Sequence, residues 1–452
     1  MSSENNQSNI LSSWKEISAY LKCGIRTCMR YEEKYGLPGY RLAEKPKTHV
    51  FAYKNELDEW LRDKSNTDSF KTRSLYKNKK IFIKKLILMG LILIMAVFTF
   101  IFIFNNKDNF KQPFDFKIEE SNLVVLNKIG KELWRFDTKL RNLLDETKYR
   151  EHFQKRRIEE GTRFPVLPYL IIEDINNDGL NEVLFSIKTT TGFGEGRIIC
   201  FDKKGSELWR FDTGGELKYG SEIFSPDYRI HGFDIIDLDN DMKREIIIIS
   251  DHNDDFPTQL TVLSPRGELI GEYWNSGRIS DFECEDLDGD GRKEIILAAM
   301  NNEYKKAVLI VFDSRRIQGS SPQTGAFKCE SLLEGTEKYY ILLPRTDADR
   351  YYDELEAAIK ISILKNKRLS ILTLCSFIYF EFSYELELLN IRLTNRFDLL
   401  HKKAVREGKI KDFTNENKYK DSLIQGILYY DGQNWVSTPT MSSYWKNKAI
   451  NH

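Results

Sequence analysis

Apolar positions change their spacing several times along this 452-residue chain, and each spacing predicts a different kind of element. Near the start, Trp14, Ile17, Tyr20 and Leu21 recur at helical intervals behind Ser13, which fits a capping box with Glu16. Lys22-Cys23-Gly24 breaks that pattern, and a second helical period runs from Ile25 to about Tyr35-Gly36, so the spacing predicts two helices across a three-residue glycine turn. Leu37–Leu42 and Thr48–Tyr53 then read as two short strands around the basic turn Glu44-Lys45-Pro46-Lys47. Asn55 is placed to cap a third helix whose inner face is Leu57, Trp60 and Leu61.

From Leu86 to Phe104 no residue is charged, and the 19 residues, as a helix, match the roughly 30 Å hydrocarbon core of a bilayer. The stretch lies 85 residues into the chain, lacks a small-residue cleavage pattern and is apolar on every face. These features favour one retained transmembrane helix over a cleaved signal peptide or a buried core helix. A second apolar run, Leu369–Phe380, has 12 residues, too few to span, and reads as a buried strand.

Further on, a hairpin pattern repeats. Leu123–Thr138, with Gly130, Glu132, Trp134, Phe136 and Asp137, recurs as Ile198–Thr213, with Gly205, Glu207, Trp209, Phe211 and Asp212. It decays to Leu260–Trp274 around Gly267, and a fourth copy starts at Ala307–Asp313 without its second half. Gly426–Val436 is again a hairpin, around Asp431-Gly432. The expected fold class is therefore multidomain: a small α+β unit, one transmembrane α-helix, then a mainly-β body of propeller type.

Charge sharpens this division. Lys+Arg equals Asp+Glu at 68 each, yet residues 1–85 hold 18 basic and 10 acidic side chains, which leaves a basic head and an acidic body. That asymmetry suggests a polyanion at one end and a cation or polar ligand at the other. Lys71, Arg73, Lys77, Lys79, Lys80, Lys84 and Lys85 precede the apolar span, whereas Lys107 and Lys111 are interleaved with Asp108 and Asp115. The positive-inside rule then puts the N-terminus in the cytoplasm and the body outside it. The expected layout is a helical unit at 1–66, a basic linker at 67–85 that also suits anionic headgroups, the span at 86–104, a linker at 105–116 and the β body at 117–452.

Six cysteines show no zinc spacing. Cys200, Cys284, Cys329 and Cys375 fall in the exported part, where a disulfide can form, but the sequence assigns no pair. Cys23 and Cys28 read first as small, reduced, partly buried residues, with a redox role as the alternative.

The run from Trp14 through Leu61 resembles the winged helix-turn-helix domains of the excisionase and MerR type, in element order, turn and wing. The resemblance implies that the second helix enters the major groove of double-stranded DNA, with Arg26, Thr27 and Arg30 at base- and phosphate-reading positions. Tyr31 would pack or touch backbone, and Arg41, Lys45, Lys47 and His49 on the wing would meet neighbouring phosphates. One such domain reads few bases, so useful specificity requires either a homodimer on two half-sites or the high local concentration that tethering creates.

Between the hairpins an acidic nine-residue motif occurs three times. It supplies Asp174, Asn176, Asp178, Leu180 and Glu182; Asp237, Asp239, Asp241, Lys243 and Glu245; and Asp286, Asp288, Asp290, Arg292 and Glu294. Side-chain oxygens at positions 1, 3, 5 and 9, with a backbone carbonyl at position 7, suit a hard cation, and Ca2+ is the matching ion, in a structural role. Without metal, the same residues make ordinary Asx turns. The second loop departs from the pattern, with Met242 where the others have Gly179 and Gly291.

Acidic loops opening onto apolar strands, at blade-sized spacing, resemble the FG-GAP/VCBS repeats of integrin-α-like propellers over about 120–315. Glu132-Leu-Trp134 and its copy also resemble the tryptophan-docking repeats of quinoprotein propellers, but only two clear copies exist. No nucleophile elbow, HExxH or P-loop is present, so an enzyme is not expected. The expectation is a membrane-tethered DNA-binding regulator whose external propeller binds an unidentified ligand or protein. A surface adhesion or scaffold protein that docks a cytoplasmic partner is the first alternative, and a quinoprotein enzyme the second.

Overall fold

Ser13 keeps an extended backbone while its hydroxyl accepts the Glu16 N–H, so α1 (Trp14–Tyr20) begins where the capping residue predicts. The reciprocal bond of the box is displaced by one residue, Ser12 N–H donating to Glu16 Oε2 at 2.8 Å. α2 (Ile25–Tyr35) follows Gly24 and ends at Gly36, whose φ of 63° lets Leu37 N–H donate back to Tyr31 O. In this computed structural model the described residues are 9–41, 49–65, 88–95, 110–157, 164–192, 195–252, 256–352 and 355–450, and the chain divides into two units, Met1–Phe104 and Asn105–His452.

In the first unit β1 (Ile10–Leu11), β2 (Tyr40–Arg41) and β3 (Val50–Tyr53) form a sheet in the order β1-β3-β2. A two-residue strand carries no readable alternation, which is why β1 was not expected. α3 (Lys54–Ser65) continues directly from β3, so Asn55 lies inside the helix and does not cap it. Leu11, Ile17, Cys28, Leu37, Val50, Ala52 and Leu57 are the buried core. Lys45, Lys47 and the turn that carries them lie outside the described residues, as does the whole basic linker at 67–85.

α4 covers 88–95, and the rest of the span expected at 86–104 also lies outside the described residues. Among the described residues no helix is long and apolar enough to cross a membrane. Within α4, Leu88, Met89, Leu91, Ile92, Leu93, Ile94 and Met95 are all exposed.

The second unit is mostly β and propeller-like: successive antiparallel meanders, each packed face to face on the next. The first sheet is β4 (Asp115–Glu119), β5 (Asn122–Leu126) and β6 (Glu132–Asp137). After α5 (Glu146–Glu151) comes a four-stranded sheet of β7 (Leu170–Glu173), β8 (Glu182–Ser186), β9 (Arg197–Phe201) and β10 (Glu207–Asp212). A small hairpin, β11 (Leu217–Tyr219) and β12 (Glu222–Phe224), precedes the sheet of β13 (Tyr228–Ile236), β14 (Glu245–His252), β15 (Thr258–Leu263) and β16 (Leu269–Asn275). The next comprises β17 (Ile279–Glu285), β18 (Glu294–Asn301), β19 (Lys306–Asp313) and β20 (Tyr339–Leu342).

After α6 (Asp347–Tyr352) the chain builds a further meander of β21 (Ala358–Leu364), β22 (Arg368–Thr373), β23 (Tyr379–Ser383) and β24 (Leu388–Arg392). It continues through α7 (Asn395–Arg406) and α8 (Glu416–Ile424), then returns to extend the fourth sheet with β25 (Leu428–Tyr430) and β26 (Trp435–Val436) before α9 (Ser443–Ile450).

The near-continuous apolar strands follow from this stacking, because a strand buried on both faces needs apolar residues at every position. On β8, Val183 and Phe185 face the first sheet while Leu184 faces the third. On β14, Ile246 and Ile248 face the second sheet while Ile247 and Ile249 face the fourth.

The repeated Trp and Gly also interlock across sheets. A Cβ on Gly205 would lie 2.7 Å from the Trp134 ring, and one on Gly267 would lie 2.5 Å from the Trp209 ring. Each turn glycine is therefore fixed by the indole of the preceding sheet as well as by its positive φ. Two expectations change here. The run Leu369–Phe380 is split by a turn between β22 and β23 and is not one strand. The missing half of the fourth hairpin exists as β20, displaced beyond a long excursion after β19.

Candidate functional site

Each acidic loop joins the first strand of a sheet to the second: Asp174–Glu182 between β7 and β8, Asp237–Glu245 between β13 and β14, and Asp286–Glu294 between β17 and β18. The three share one hydrogen-bond scheme. The N–H of the second residue donates to the terminal glutamate, from Ile175 to Glu182 at 3.1 Å, Leu238 to Glu245 at 3.0 Å and Leu287 to Glu294 at 2.9 Å. The sixth N–H donates to the first aspartate, from Gly179 to Asp174 at 2.7 Å, Met242 to Asp237 at 3.0 Å and Gly291 to Asp286 at 3.0 Å. The seventh N–H, of Leu180, Lys243 and Arg292, donates to Asp178, Asp241 and Asp290, each at 2.8 Å.

That scheme bends the backbone so that the sixth residue is left-handed, with φ of 83° at Gly179, 86° at Gly291 and 69° at Met242. Methionine pays a steric penalty there that glycine avoids. The loops also adjoin: Asn177 reaches Met242, Asn240 donates to Gly291 O, and Arg244 N–H and Lys293 N–H donate to Ile175 O and Leu238 O, both at 2.9 Å.

The carboxylates converge. Single oxygens of Asp237, Asp239 and Glu245 lie within 4.8 Å of one another, as do those of Asp286, Asp288 and Glu294. In the first loop Asn176 stands at the third position and donates to Glu182 at 3.3 Å. Burial pushes Glu182 up to about 7, with Asp178 and Asp174 adding to the rise. Burial also raises Glu245 and Glu294. Carboxylates this close repel one another, and a cation between them relieves that repulsion.

The loops differ in which cation they meet. In the third, Lys338 Nζ lies 2.7 Å from Asp288 Oδ2 and 2.8 Å from Glu294 Oε1. Burial opposes the charge on Asp288, but Lys338 outweighs it and holds this carboxyl below its usual range. In the second loop Asp237 Oδ1 is buried with no hydrogen-bond partner, and the cations nearby sit on the rim, Lys243 on Asp241 at 2.9 Å and Arg292 on Asp239 at 3.5 Å. That orphaned oxygen belongs to one of the three converging carboxylates, a donor set that suits a divalent ion.

The sequence did not reveal Lys338, because it lies 50 residues from Asp288 and reaches it only through the fourth sheet. Arg156 was missed for the same reason. Its guanidinium donates to Asp281 at 2.8 and 2.7 Å, to Glu283, and to Ile361 O at 3.1 Å, tying the residues before β7 to β17 and β21.

In the first unit Arg26 and Arg30 are exposed on α2 and Thr27 is half-buried. Tyr31 packs against Tyr35 and Trp60, each ring 5.8 Å away. Arg41 is bound through both guanidinium ends by Glu32 at 2.7 Å, while His49 is exposed.

No family model matches the chain, and no curated protein does. Among solved structures it is similar to a protein of unknown function from Bacteroides caccae, at 9% identity, covering 63% of this chain and 74% of that one with a TM-score of 0.27. It is also similar to a Bacillus licheniformis rhamnogalacturonan lyase, at 14% identity, 49% and 41% coverage and a TM-score of 0.28. The Dos1 propeller matches at 9% identity over 63% of each chain, with a TM-score of 0.25. Likenesses this distant carry no functional argument, so the reading rests on the chain itself.

Proposed function

We propose that the chain is a membrane-tethered DNA-binding regulator whose β body is an extracytoplasmic, calcium-stabilised ligand-binding domain and has no catalytic role. The observation that carries this reading is the outward face of α2. Arg26 and Arg30 project from a helix that follows a tight turn and is backed by its own core, the arrangement a helix needs to enter a major groove. The tether is supported by the uncharged stretch Leu86–Phe104 and by the exposed apolar side chains of α4. The calcium role is supported by the caged carboxylates, the second loop most of all.

Genome-wide mapping of DNA crosslinked to the full chain tests the first part. Discrete enriched sites are expected, and their loss in Arg30→Ala, at a cost of roughly 1–3 kcal/mol, would assign a base contact. Binding should fall steeply with salt. Protease added to intact cells should digest residues beyond about 107 and spare the first 70; protection of the β body would overturn the topology.

A second reading has one observation in its favour: Arg41 is committed to Glu32 and Tyr31 to the core, which narrows the surface open to phosphates. In that case the unit docks a cytoplasmic protein, and crosslinking would recover no enriched DNA.

A further inference from the structure

Cys23 closes the turn between α1 and α2, and Cys28 lies in the first turns of α2. Their Sγ atoms are 3.1 Å apart. Cys28 is fully buried in the core of the first unit, and the half-buried Cys23 packs against the same cluster, so Cys23 is the more accessible residue of the pair. The backbone holds both in place: Cys23 N–H donates to Ser18 O at 3.0 Å, and Cys28 N–H to Gly24 O at 3.1 Å. A thiol is a weak hydrogen-bond donor and a weak acceptor. Their facing arrangement therefore adds little to stability, and an apolar pair would fill the same volume.

We propose that Cys23 and Cys28 form a dithiol site that closes to an intramolecular disulfide by exchange with a small-molecule disulfide, and that closure alters the DNA-reading face of α2. In the first step the Cys23 thiolate attacks one sulfur of the incoming disulfide, breaks its S–S bond and releases one thiolate. Cys28 then gives its proton to solvent, and its sulfur attacks Cys23 Sγ in the mixed disulfide, expelling the second thiolate. The two protein thiols lose two electrons, and the incoming disulfide is reduced to two thiols. Burial, with Cys23 alongside, pushes the Cys28 thiol up to about 12, so the second step is the slow one.

Bond formation draws the sulfurs from 3.1 Å to about 2.05 Å. That movement pulls the first turns of α2 toward the preceding turn, and those turns carry Arg26 and Thr27. A reducing cytoplasm keeps the pair open, so closure would report oxidation. The effect on DNA rests on the function proposed above; the disulfide does not.

The test treats the full-length chain in detergent with oxidised glutathione or with dithiothreitol, then maps peptides and measures DNA binding on the same samples. In the wild type the oxidised peptide should carry a Cys23–Cys28 link, two hydrogens lighter and without glutathione. Cys28→Ala should stall with glutathione on Cys23, and Cys23→Ser should leave Cys28 unmodified. Two free thiols after oxidation of the folded wild type would overturn the site. With the link mapped, a several-fold change in DNA affinity that dithiothreitol reverses is the expected result. Equal affinity in the two states would overturn the control of α2. Absence of DNA binding in both states would overturn the DNA function and that control together, leaving the mapped disulfide intact.

Discussion

The second and third acidic loops gather the same three carboxylates with the same backbone hydrogen bonds, yet they meet different counter-ions. The third contains the Lys338 ammonium, 2.7 and 2.8 Å from two of its carboxylates, and a glycine at the left-handed sixth position. The second leaves Asp237 Oδ1 unpartnered and holds a methionine in the strained position. A motif repeated along the chain is thus closed by a buried lysine in one sheet and keeps an unpartnered carboxylate oxygen in the next. By sequence, the second loop departs furthest from the calcium pattern; by geometry, it is the one that leaves a buried carboxylate oxygen unpartnered.

The largest effect that could break this comparison comes from Lys338→Ala. Removing a buried partner leaves Glu294, only 3% exposed, without its counter-charge, and the expected loss in chelator is about 3 kcal/mol. Millimolar calcium should recover part of that loss by occupying the vacated place. Thermal unfolding with and without calcium measures both, and an equal loss in the two conditions would show that the third loop does not accept the ion even when Lys338 is gone.

Calcium should also stabilise the unaltered protein. A site with a dissociation constant of roughly 0.1 mM gains about 1.4 kcal/mol at about 1 mM free ion. Asp237→Asn should reduce the calcium-dependent rise in midpoint, whereas Asp286→Asn should leave most of it, because Lys338 already serves the third loop. The reverse ranking, read from the same melts, would sink the comparison.

Met242→Gly should raise stability by roughly 1 kcal/mol, the left-handed penalty less the greater chain entropy of glycine, while Gly291→Ala should lower it by a similar amount. Denaturant midpoints at fixed slope give both values. Smallest is Arg292→Ala, which removes a half-exposed pair with Asp239 at 3.5 Å and should cost under about 1 kcal/mol, less at high salt.

Elements with a strong local period were legible in the sequence. Trp14–Tyr20 and Ile25–Tyr35 form helices because their apolar spacing and caps are written locally, and the Gly130, Gly205 and Gly267 turns lie between paired strands as the hairpin repeat predicts. Boundaries that depend on context were not. Asn55 lost its capping role because β3 runs straight into α3, and Leu369–Phe380 turned where a uniform apolar run gives no turn signal.

By itself, then, the sequence determined the meander repeats, the two helices across their turn, and the loops that bring acidic side chains together, since each depends on residues a few positions apart. Tertiary structure alone decided what those groups meet. Lys338 enters the third loop, Arg156 joins β17 to β21, and Trp134 and Trp209 settle on Gly205 and Gly267 only because stacked sheets bring distant segments within a few ångströms. Electrostatic partnership depends on that distance in space, which a local spacing pattern does not encode.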